Sequence, residues 1–217
     1  MPDITAVTHA QNIRYDKQAE ALYIIDQTLL PGEEREIRLT TLDEMVEAIR
    51  ALRVRGAPAI GICAGYCMYL LARDAWTEDR QAFLQKLTED GEALNASRPT
   101  AVNLSWAIGE MMAVARARLQ EPREALLDAL YQKAVAIHED DIAKCTAISE
   151  YGLSLLKDGD GVLTHCNAGR LAAIEYGTAT APIYLGQEQG YGFHIYADET
   201  RPLLQGARLT AYELQQA

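Results

Sequence analysis

The feature that most constrains the fold of this chain is a stretch of small and apolar residues from Ala57 to Leu71, which has almost no polar face. Pro58 stands near its beginning, and proline is tolerated in the first turn of a helix. A helix that is apolar on nearly every side must be buried over most of its surface. Gly and Pro interrupt this run, and polar residues interrupt a second one at 171–185, so neither predicts a membrane-spanning segment. The sequence therefore predicts a helical bundle built around residues 57–71.

The segments around this helix predict a small β structure and four further helices. Residues 9–40 contain two stretches rich in β-forming residues, separated by the turn signal Pro31-Gly32. Thr41 and Glu44 have the spacing of a capping box, which predicts a helix that ends at Arg55-Gly56. We expect Thr77 to cap a third helix, "AVNLSWAIGEMMAVARARL" to form a fourth, and Pro122 to open a fifth that runs to about Leu156. Residues 1–157 are thus predicted to form one domain.

A second pattern begins after "LKDGDG" at 156–161. A short buried strand at 162–166, a helix to about Gln189, a strand at 193–197 and a final helix give the order β-loop-α-β-loop-α. This order predicts two parallel strands at the start of a Rossmann-like, doubly wound sheet in residues 158–217, and hence an α/β protein. Two strands alone leave both edges of the sheet exposed, so we expect this domain to be incomplete. Either these residues are the first part of a longer protein, or a partner supplies the missing strands.

Composition limits the classes of partner and the compartment. The chain has 20 basic and 31 acidic residues and a net charge of -11, which disfavours nucleic acid and anionic membranes as partners. Four cysteines without a CxxC spacing indicate free thiols in a reducing cytoplasm, and no signal peptide is visible. Cys63 and Cys67 share a helix face without a nearby His or carboxylate, so we interpret them as packing residues and expect no metal site.

Cys166 closes the first strand of the predicted parallel sheet. Ligands of such sheets bind beyond the carboxyl ends of the strands, where a thiol near backbone N–H groups and cations gains thiolate character. The alternative is a small buried residue that ends a strand. His165 precedes it and is either a proton carrier or, more commonly, a packed and hydrogen-bonded histidine.

The loop after the second strand carries the other polar candidates. Asp198-Glu199 is either an acid/base pair or a pair that fixes the loop by bonding its backbone and arginines. Arg201 and Arg208 either bind an anionic ligand or pair with those carboxylates. Gln205 stands at the beginning of a predicted helix, where its amide can hold a hydroxyl or phosphate oxygen.

Two arginines stand where predicted helices begin. Arg55-Gly56-Ala57 opens the buried helix, and Arg98 precedes Pro99 and Thr100 at the start of another. Helix N-termini offer N–H groups and the positive end of the helix dipole, so both positions suit a phosphate. Salt-bridged surface arginines remain the alternative at each.

Several segments together resemble the methylthioribose-1-phosphate isomerase family, which belongs to the superfamily of translation initiation factor 2B subunits. They are "VRGAPAIG", "SRPTAVNLSWAI", "THCNAG", "GTATAPIYLGQEQG" and "YADETRPLLQGARLTAYEL", in that order. The resemblance implies an aldose–ketose isomerase of methionine salvage, which converts a ring-closed 5-methylthioribose 1-phosphate into the ribulose 1-phosphate. It also implies a homodimer that needs no metal, nucleotide or other cofactor.

The same resemblance implies roles for individual residues. Cys166 corresponds to one member of the family's acid/base pair, and the substrate contacts correspond to Arg55-Gly56-Ala57, Arg98 and Gln205. The family's second member, an Asp, lies on a later strand beyond residue 217, so we expect this chain alone to be unable to complete the reaction. Arg170 and Glu175 depart from the family pattern and leave open an isomerase of another pentose 1-phosphate.

Two functions from different classes remain at this stage. The first is the isomerase, in one polypeptide or two. The second is a regulatory module of the initiation factor 2B type that binds sugar phosphates or nucleotides without turnover. The isomerase hypothesis requires the Cys166 thiol and the arginines at the two helix starts to act on one sugar phosphate.

Overall fold

A computed structural model describes residues 11–217 of the chain. Residues 9 and 10, where the first predicted strand region begins, and the N-terminal segment on which the absence of a signal peptide was judged lie outside the described residues. No helix in the described part is long and apolar enough to cross a membrane.

The described chain divides into two compact units. The helical unit comprises Ile13–Ile25 and Glu36–Glu139, and the described part of the α/β unit comprises residues 11–12, Asp26–Arg35 and Asp140–Ala217. The sequence of the second unit is therefore discontinuous, because the segment 26–35 belongs to it although its neighbours on both sides do not. The predicted domain boundary between residues 157 and 158 stays a prediction.

The helical unit begins with a small antiparallel sheet whose strands follow each other in the order β1-β2-β3. The strands are β1 (Ile13–Asp16), β2 (Ala21–Ile25) and β3 (Glu36–Leu39). Ile13 pairs with Ile24, and Leu22 pairs with Leu39, and all four side chains are buried. The prediction of short strands followed by helices is confirmed.

Five helices follow along the chain. They are α1 (Leu42–Arg50), α2 (Ala57–Ala75), α3 (Arg80–Ala96), α4 (Val102–Ala117) and α5 (Arg123–Leu153). The predicted capping box is present at α1, where the Thr41 hydroxyl accepts from the Glu44 N–H and the Glu44 side chain accepts from the Thr41 N–H. The boundary between the two units falls within α5.

Helix α2 is the buried helix that the sequence predicts. Thirteen of its 19 residues are buried, and they lie on every side of the helix. Cys63 and Cys67 are both fully buried, with their sulfur atoms 3.9 Å apart. Within the described residues, no group of three or more His, Cys, Asp or Glu side chains could hold a metal ion.

The predicted cap of α3 is wrong. The helix begins at Arg80, and the Asp79 carboxylate accepts from the N–H groups of Gln81 and Ala82. Thr77 lies too far upstream to reach these groups, since an N-cap side chain bonds the second or third residue after itself.

The α/β unit contains a parallel pair of strands joined by a helix. Its elements are β4 (Gly161–Thr164), α6 (Ala181–Glu188), β5 (His194–Ala197), a π-helical turn (Gly206–Thr210) and α7 (Ala211–Gln216). The strands pair from Gly161 with His194 to Thr164 with Ala197, so the predicted parallel arrangement is confirmed.

The expectation that β4 is a buried strand of residues 162–166 is wrong in two respects. The strand ends at Thr164, so His165 and Cys166 already lie in the loop after it. Leu163 is 73% exposed and its partner Tyr196 on β5 is 61% exposed, so the described chain leaves this face of the two-stranded sheet uncovered. Short apolar runs indicate a strand without indicating how many neighbours cover it.

Candidate functional site

The helical unit contains a pocket at the beginning of two helices. It has a volume of about 330 Å³, and α2 and α4 both present their first residues to it. Its lining consists of Arg55, Gly56, Ala57, Ile60, Arg98, Thr100, Ala101, Val102 and Asn103. The candidates Arg55, Gly56 and Ala57 therefore meet Arg98, which lies more than 40 residues further along the sequence.

The backbone at this pocket has the properties of an anion site. Neither helix start has a side-chain capping bond. Gly56 has φ of 98°, a conformation that side-chain-bearing residues rarely adopt, and it turns the chain sharply into α2. The first N–H groups of a helix have no acceptor within the helix, and the helix dipole is positive at this end. Two such ends and two guanidinium groups make this pocket suited to a phosphate.

Sequence reasoning missed two polar residues of the pocket. Thr100 and Asn103 line it together with the arginines. Thr100 lies in the segment that precedes α4 and Asn103 lies in the first turn of that helix, but no pattern in the sequence distinguished them from ordinary residues at a helix start. The role of Arg55, Gly56, Ala57 and Arg98 in binding a substrate stays a prediction.

In the α/β unit, Cys166 lies in the loop after β4 and is half-buried. Its φ is 65°, in the left-handed region that few non-glycine residues occupy. Its N–H donates to Thr200 Oγ1 at 2.9 Å, and its carbonyl accepts from the Thr210 hydroxyl at 2.7 Å. These two threonines come from the loop after β5 and from the π-helical turn. The main chain of Cys166 is thus held by parts of the chain that are more than 30 residues away.

Gln205 is the side chain that contacts the sulfur. Its Nε2 donates to Cys166 Sγ at 3.3 Å, and it directly precedes the π-helical turn. The structure therefore brings together the two candidates from different strand-end loops, as expected for ligand-binding groups of a parallel sheet. Their part in catalysis and in substrate binding stays a prediction.

His165 departs from the packed histidine that was the commoner expectation. Its side chain is 73% exposed, and Nδ1 pairs with Asp198 Oδ2. The other carboxylate oxygen of Asp198 accepts from the Thr200 hydroxyl. The Thr200 bond, followed by the bond to His165, lowers the pKa of Asp198 below its usual range. Asp198 thus links the loops after β4 and β5 through His165 and Thr200, and an acid/base role of Asp198-Glu199 stays a prediction.

A buried carboxylate supports the same loop from the other side. Glu213, on α7, is fully buried and accepts from Asn167 Nδ2 at 3.0 Å and from the Leu171 N–H at 3.2 Å. Burial raises the pKa of Glu213, and the bond from Asn167 and the charge of Arg170 partly oppose this rise. Asn167 also donates to Thr210, which bonds the Cys166 carbonyl, so the carboxylate and the thiol belong to one hydrogen-bonded network.

Arg208 has a structural role that neither sequence-based alternative anticipated. Its Nη2 donates to the carbonyl oxygens of Gln27, Thr28 and Leu30 at 3.0, 3.2 and 2.9 Å. It therefore binds the segment 26–35 to the rest of the α/β unit, instead of an anion or Asp198. Arg201 is exposed.

Comparisons with known proteins show relatives of two kinds. Residues 53–217 match the model of the Initiation factor 2 subunit family. The chain is 54% identical over 207 residues to a methylthioribose-1-phosphate isomerase of Parabacteroides distasonis, an alignment that covers 94% of this chain and 61% of that protein. It is 50% identical over 194 residues to a 5-deoxyribose 1-phosphate isomerase of Moorella thermoacetica, covering 89% of this chain and 55% of that protein.

A solved structure extends the likeness to the fold. The crystal structure of 5-methylthioribose 1-phosphate isomerase from Pyrococcus horikoshii OT3 matches with a TM-score of 0.90 and 33% sequence identity, over 99% of this chain and 60% of that one. The predicted α/β fold class is thereby confirmed. The chain spans between 55% and 61% of the length of the curated relatives described above.

Proposed function

Because the chain belongs to the Initiation factor 2 subunit family, we propose that it carries the phosphate site and the reactive thiol of an aldose–ketose isomerase acting on 5-methylthioribose 1-phosphate. Arg55, Gly56, Ala57 and Arg98 bind the phosphate, Gln205 binds the sugar, and Cys166 exchanges a proton with it. The observation that carries the proposal is the pocket in which four of these residues meet at two uncapped helix starts.

Charge supports a phosphate as the ligand of this pocket. The whole chain has a net charge of -11, so a local excess of positive charge is not a by-product of composition. The pocket contains two arginines, and no carboxylate is part of its lining. A phosphate dianion at a helix start gains both N–H donors and the favourable end of the helix dipole.

The chemistry of the substrate explains the need for an acid/base group. A phosphate on C1 locks the sugar in its ring form, so ordinary enolisation of a free aldehyde is not available. The ring oxygen must receive a proton as the ring opens, and a hydrogen must then move between C2 and C1. Such steps require a positioned acid/base group, and a cysteine side chain is one of the groups that can serve. Cys166 has the required exposure, whereas Cys63, Cys67 and Cys145 are fully buried.

Alkylation of Cys166 by iodoacetamide tests the proposal on the chain as it exists. Because the other three cysteines are fully buried, mass spectrometry should find the label at Cys166. We expect 5-methylthioribose 1-phosphate to slow the alkylation of Cys166. Arg98→Ala should raise the concentration of this sugar phosphate that gives half-maximal protection about 10- to 100-fold, because a hydrogen bond to a charged group contributes about 1.5–3 kcal/mol. Arg116→Ala, an exposed arginine on α4, is the matched control and should leave protection unchanged.

Two results would contradict the proposal. One is protection no stronger than that given by inorganic phosphate, and the other is protection that Arg98→Ala leaves intact. A version of the protein extended to the full length of its relatives adds a test of the thiol, with conversion to the ketose followed by proton NMR. In that version Cys166→Ser should retain ligand binding and abolish turnover, and turnover at the wild-type rate would remove Cys166 from the mechanism.

Two alternatives have specific support. The relative from M. thermoacetica is named a 5-deoxyribose 1-phosphate isomerase, which favours that sugar as a second candidate substrate. The family description favours a regulatory module related to the initiation factor. Stronger protection by 5-deoxyribose 1-phosphate supports the first, and equal protection by a nucleoside monophosphate supports the second.

The remaining expectations on assembly and location are also proposals. We propose a homodimer in the cytoplasm, without nucleic acid or membrane partners. The four free cysteines support a reducing compartment, and the acidic charge supports the choice of a small-molecule ligand. Sedimentation of the purified chain tests the dimer.

A further inference from the structure

The loops that surround Cys166 have an unusual backbone. Cys166, Thr200 and Leu204 have φ of 65°, 53° and 55°, although none of them is a glycine. A left-handed conformation is particularly unfavourable for a β-branched residue such as Thr200. Backbone strain of this kind persists only where the surrounding contacts impose it, and it concentrates at functional sites. The contacts that impose it here can be identified.

A chain of hydrogen bonds joins the two strand-end loops. The Cys166 N–H donates to Thr200 Oγ1 at 2.9 Å, and the Thr200 hydroxyl donates its own hydrogen to Asp198 Oδ1. The other Asp198 oxygen pairs with Nδ1 of His165, the residue next to Cys166. The chain of bonds therefore begins at Cys166 and ends at the adjacent residue His165. The Thr200 hydroxyl accepts one of these hydrogen bonds and donates another.

We propose that Thr200, anchored by Asp198, is a positioning residue that holds the Cys166 thiol in its strained conformation against Gln205. Thr200 acts on the main chain of Cys166 and not on the sulfur. Its bond fixes the N–H side of Cys166, and the Thr210 hydroxyl fixes the carbonyl side at 2.7 Å. With both sides of the residue held, the direction of its Cα–Cβ bond is fixed, and Gln205 Nε2 lies 3.3 Å from the sulfur that this bond carries.

The inference rests on the proposed function for its purpose, since a fixed thiol is useful where proton transfer needs one geometry. Its physical content does not depend on that function. Removal of the Thr200 hydroxyl removes one of the two bonds that impose the left-handed conformation. The loop then relaxes more often, and the half-buried sulfur leaves its contact with Gln205.

Iodoacetamide reactivity of Cys166, measured without any sugar phosphate, tests this step. Thr200→Val has nearly the same shape and no hydroxyl, and we expect it to raise the alkylation rate about fivefold, which corresponds to ~1 kcal/mol at 1.4 kcal/mol per tenfold. Thr200→Ser restores the hydroxyl and should return the rate to the wild-type value. Thr178→Val is the matched control, because the Thr178 hydroxyl bonds the Ala168 carbonyl in the same unit and does not bond Cys166.

A rate for Thr200→Val that is equal to or below the wild-type rate, or equal to that of the control, would overturn the proposal. A rate that Thr200→Ser fails to restore would overturn it as well, since the hydroxyl would then not be the cause. If circular dichroism shows that Thr200→Val does not fold, Asp198→Ala is measured in its place. We expect it to raise the alkylation rate of Cys166 about twofold, and an unchanged rate would contradict the proposal. Since no ligand is present, failure of the proposed function would leave this outcome unaffected.

Discussion

The pocket of the helical unit and the thiol loop of the α/β unit are built in different ways. The pocket is shaped by the main chain at two helix starts, and residues 55–57 and 98–103 lie next to the helices that they open. In the thiol loop, side chains from distant parts of the sequence impose the geometry. Thr200, Thr210 and Glu213 act on residues 166–171 across separations of 34 to 46 residues.

This difference predicts how each region responds to substitution. A site built from local main-chain geometry depends on a few turn residues and tolerates changes elsewhere in its unit. A site built from long-range side-chain bonds depends on close packing at several points, since each buried polar group needs its partner. The three predictions below test this contrast, in order of decreasing effect.

The largest effect is expected for Gly169→Ala. A Cβ atom at residue 169 would lie 1.6 Å from Glu213 Oε2 and 2.7 Å from its Cδ. The carboxylate cannot simply move aside, because Asn167 and Leu171 hold its other oxygen in a buried position. We expect a loss of about 3 kcal/mol in the free energy of unfolding, measured by urea denaturation, at the upper end of the range for overpacked sites.

Gly109→Ala is the control for this substitution. Gly109 lies on an exposed face of α4, and nothing is within 4 Å of the Cβ position. The alanine should stabilise the helical unit by about 0.5–1 kcal/mol, because glycine is unfavourable within a helix. If both variants lost stability equally, the contrast between the two units would be wrong.

An intermediate effect is expected for Gly56→Ala. Residue 56 has φ of 98°, so an alanine is strained there and should cost about 1–3 kcal/mol of stability. The same strain would displace the start of α2, where the pocket lies. We expect weaker binding of a sugar phosphate by calorimetry, with unfolding measured in parallel. Unchanged binding and stability would show that the sharp entry into α2 does not define the pocket.

The smallest effect is expected for Glu213→Gln, and it depends on pH. Burial raises the pKa of Glu213 in the folded chain above its pKa in the unfolded chain. The protonated carboxyl therefore contributes its full stability below the unfolded-state pKa, and this contribution is lost as the pH rises through the folded-state pKa. The amide keeps an acceptor for Asn167 and Leu171 and carries no charge. The urea midpoint of the variant should therefore exceed that of the wild type at pH 8, and the difference should shrink at pH 4.

Glu150→Gln is the control for the pH experiment. Glu150 is exposed on α5, in the same unit, and its replacement should leave the difference from wild type nearly independent of pH. A Glu213→Gln variant that is less stable than wild type at pH 8 would mean that the ionised carboxylate supports the loop more than its burial opposes it.

Features that depend on neighbouring residues could be predicted from the sequence. The capping box of Thr41 and Glu44, the buried helix α2 and the parallel pair β4-β5 were predicted from spacing and composition, and they are present. The meeting of Arg55 and Arg98 in one pocket was expected only from the family resemblance, since a helix start does not indicate which other helix start lies beside it. A cap, a helix face or a turn is fixed within a few residues, so its signal lies within a short window.

Tertiary structure alone decided the features that depend on distant partners. No local pattern indicates that Arg208 bonds the carbonyls of residues 27–30, that the Thr200 hydroxyl receives the Cys166 N–H, or that Glu213 is buried beneath Asn167. These partners are about 34 to 181 residues apart. A hydroxyl or carboxylate can bond any donor that the fold brings near it, so its partner is known only when the path of the chain between them is known.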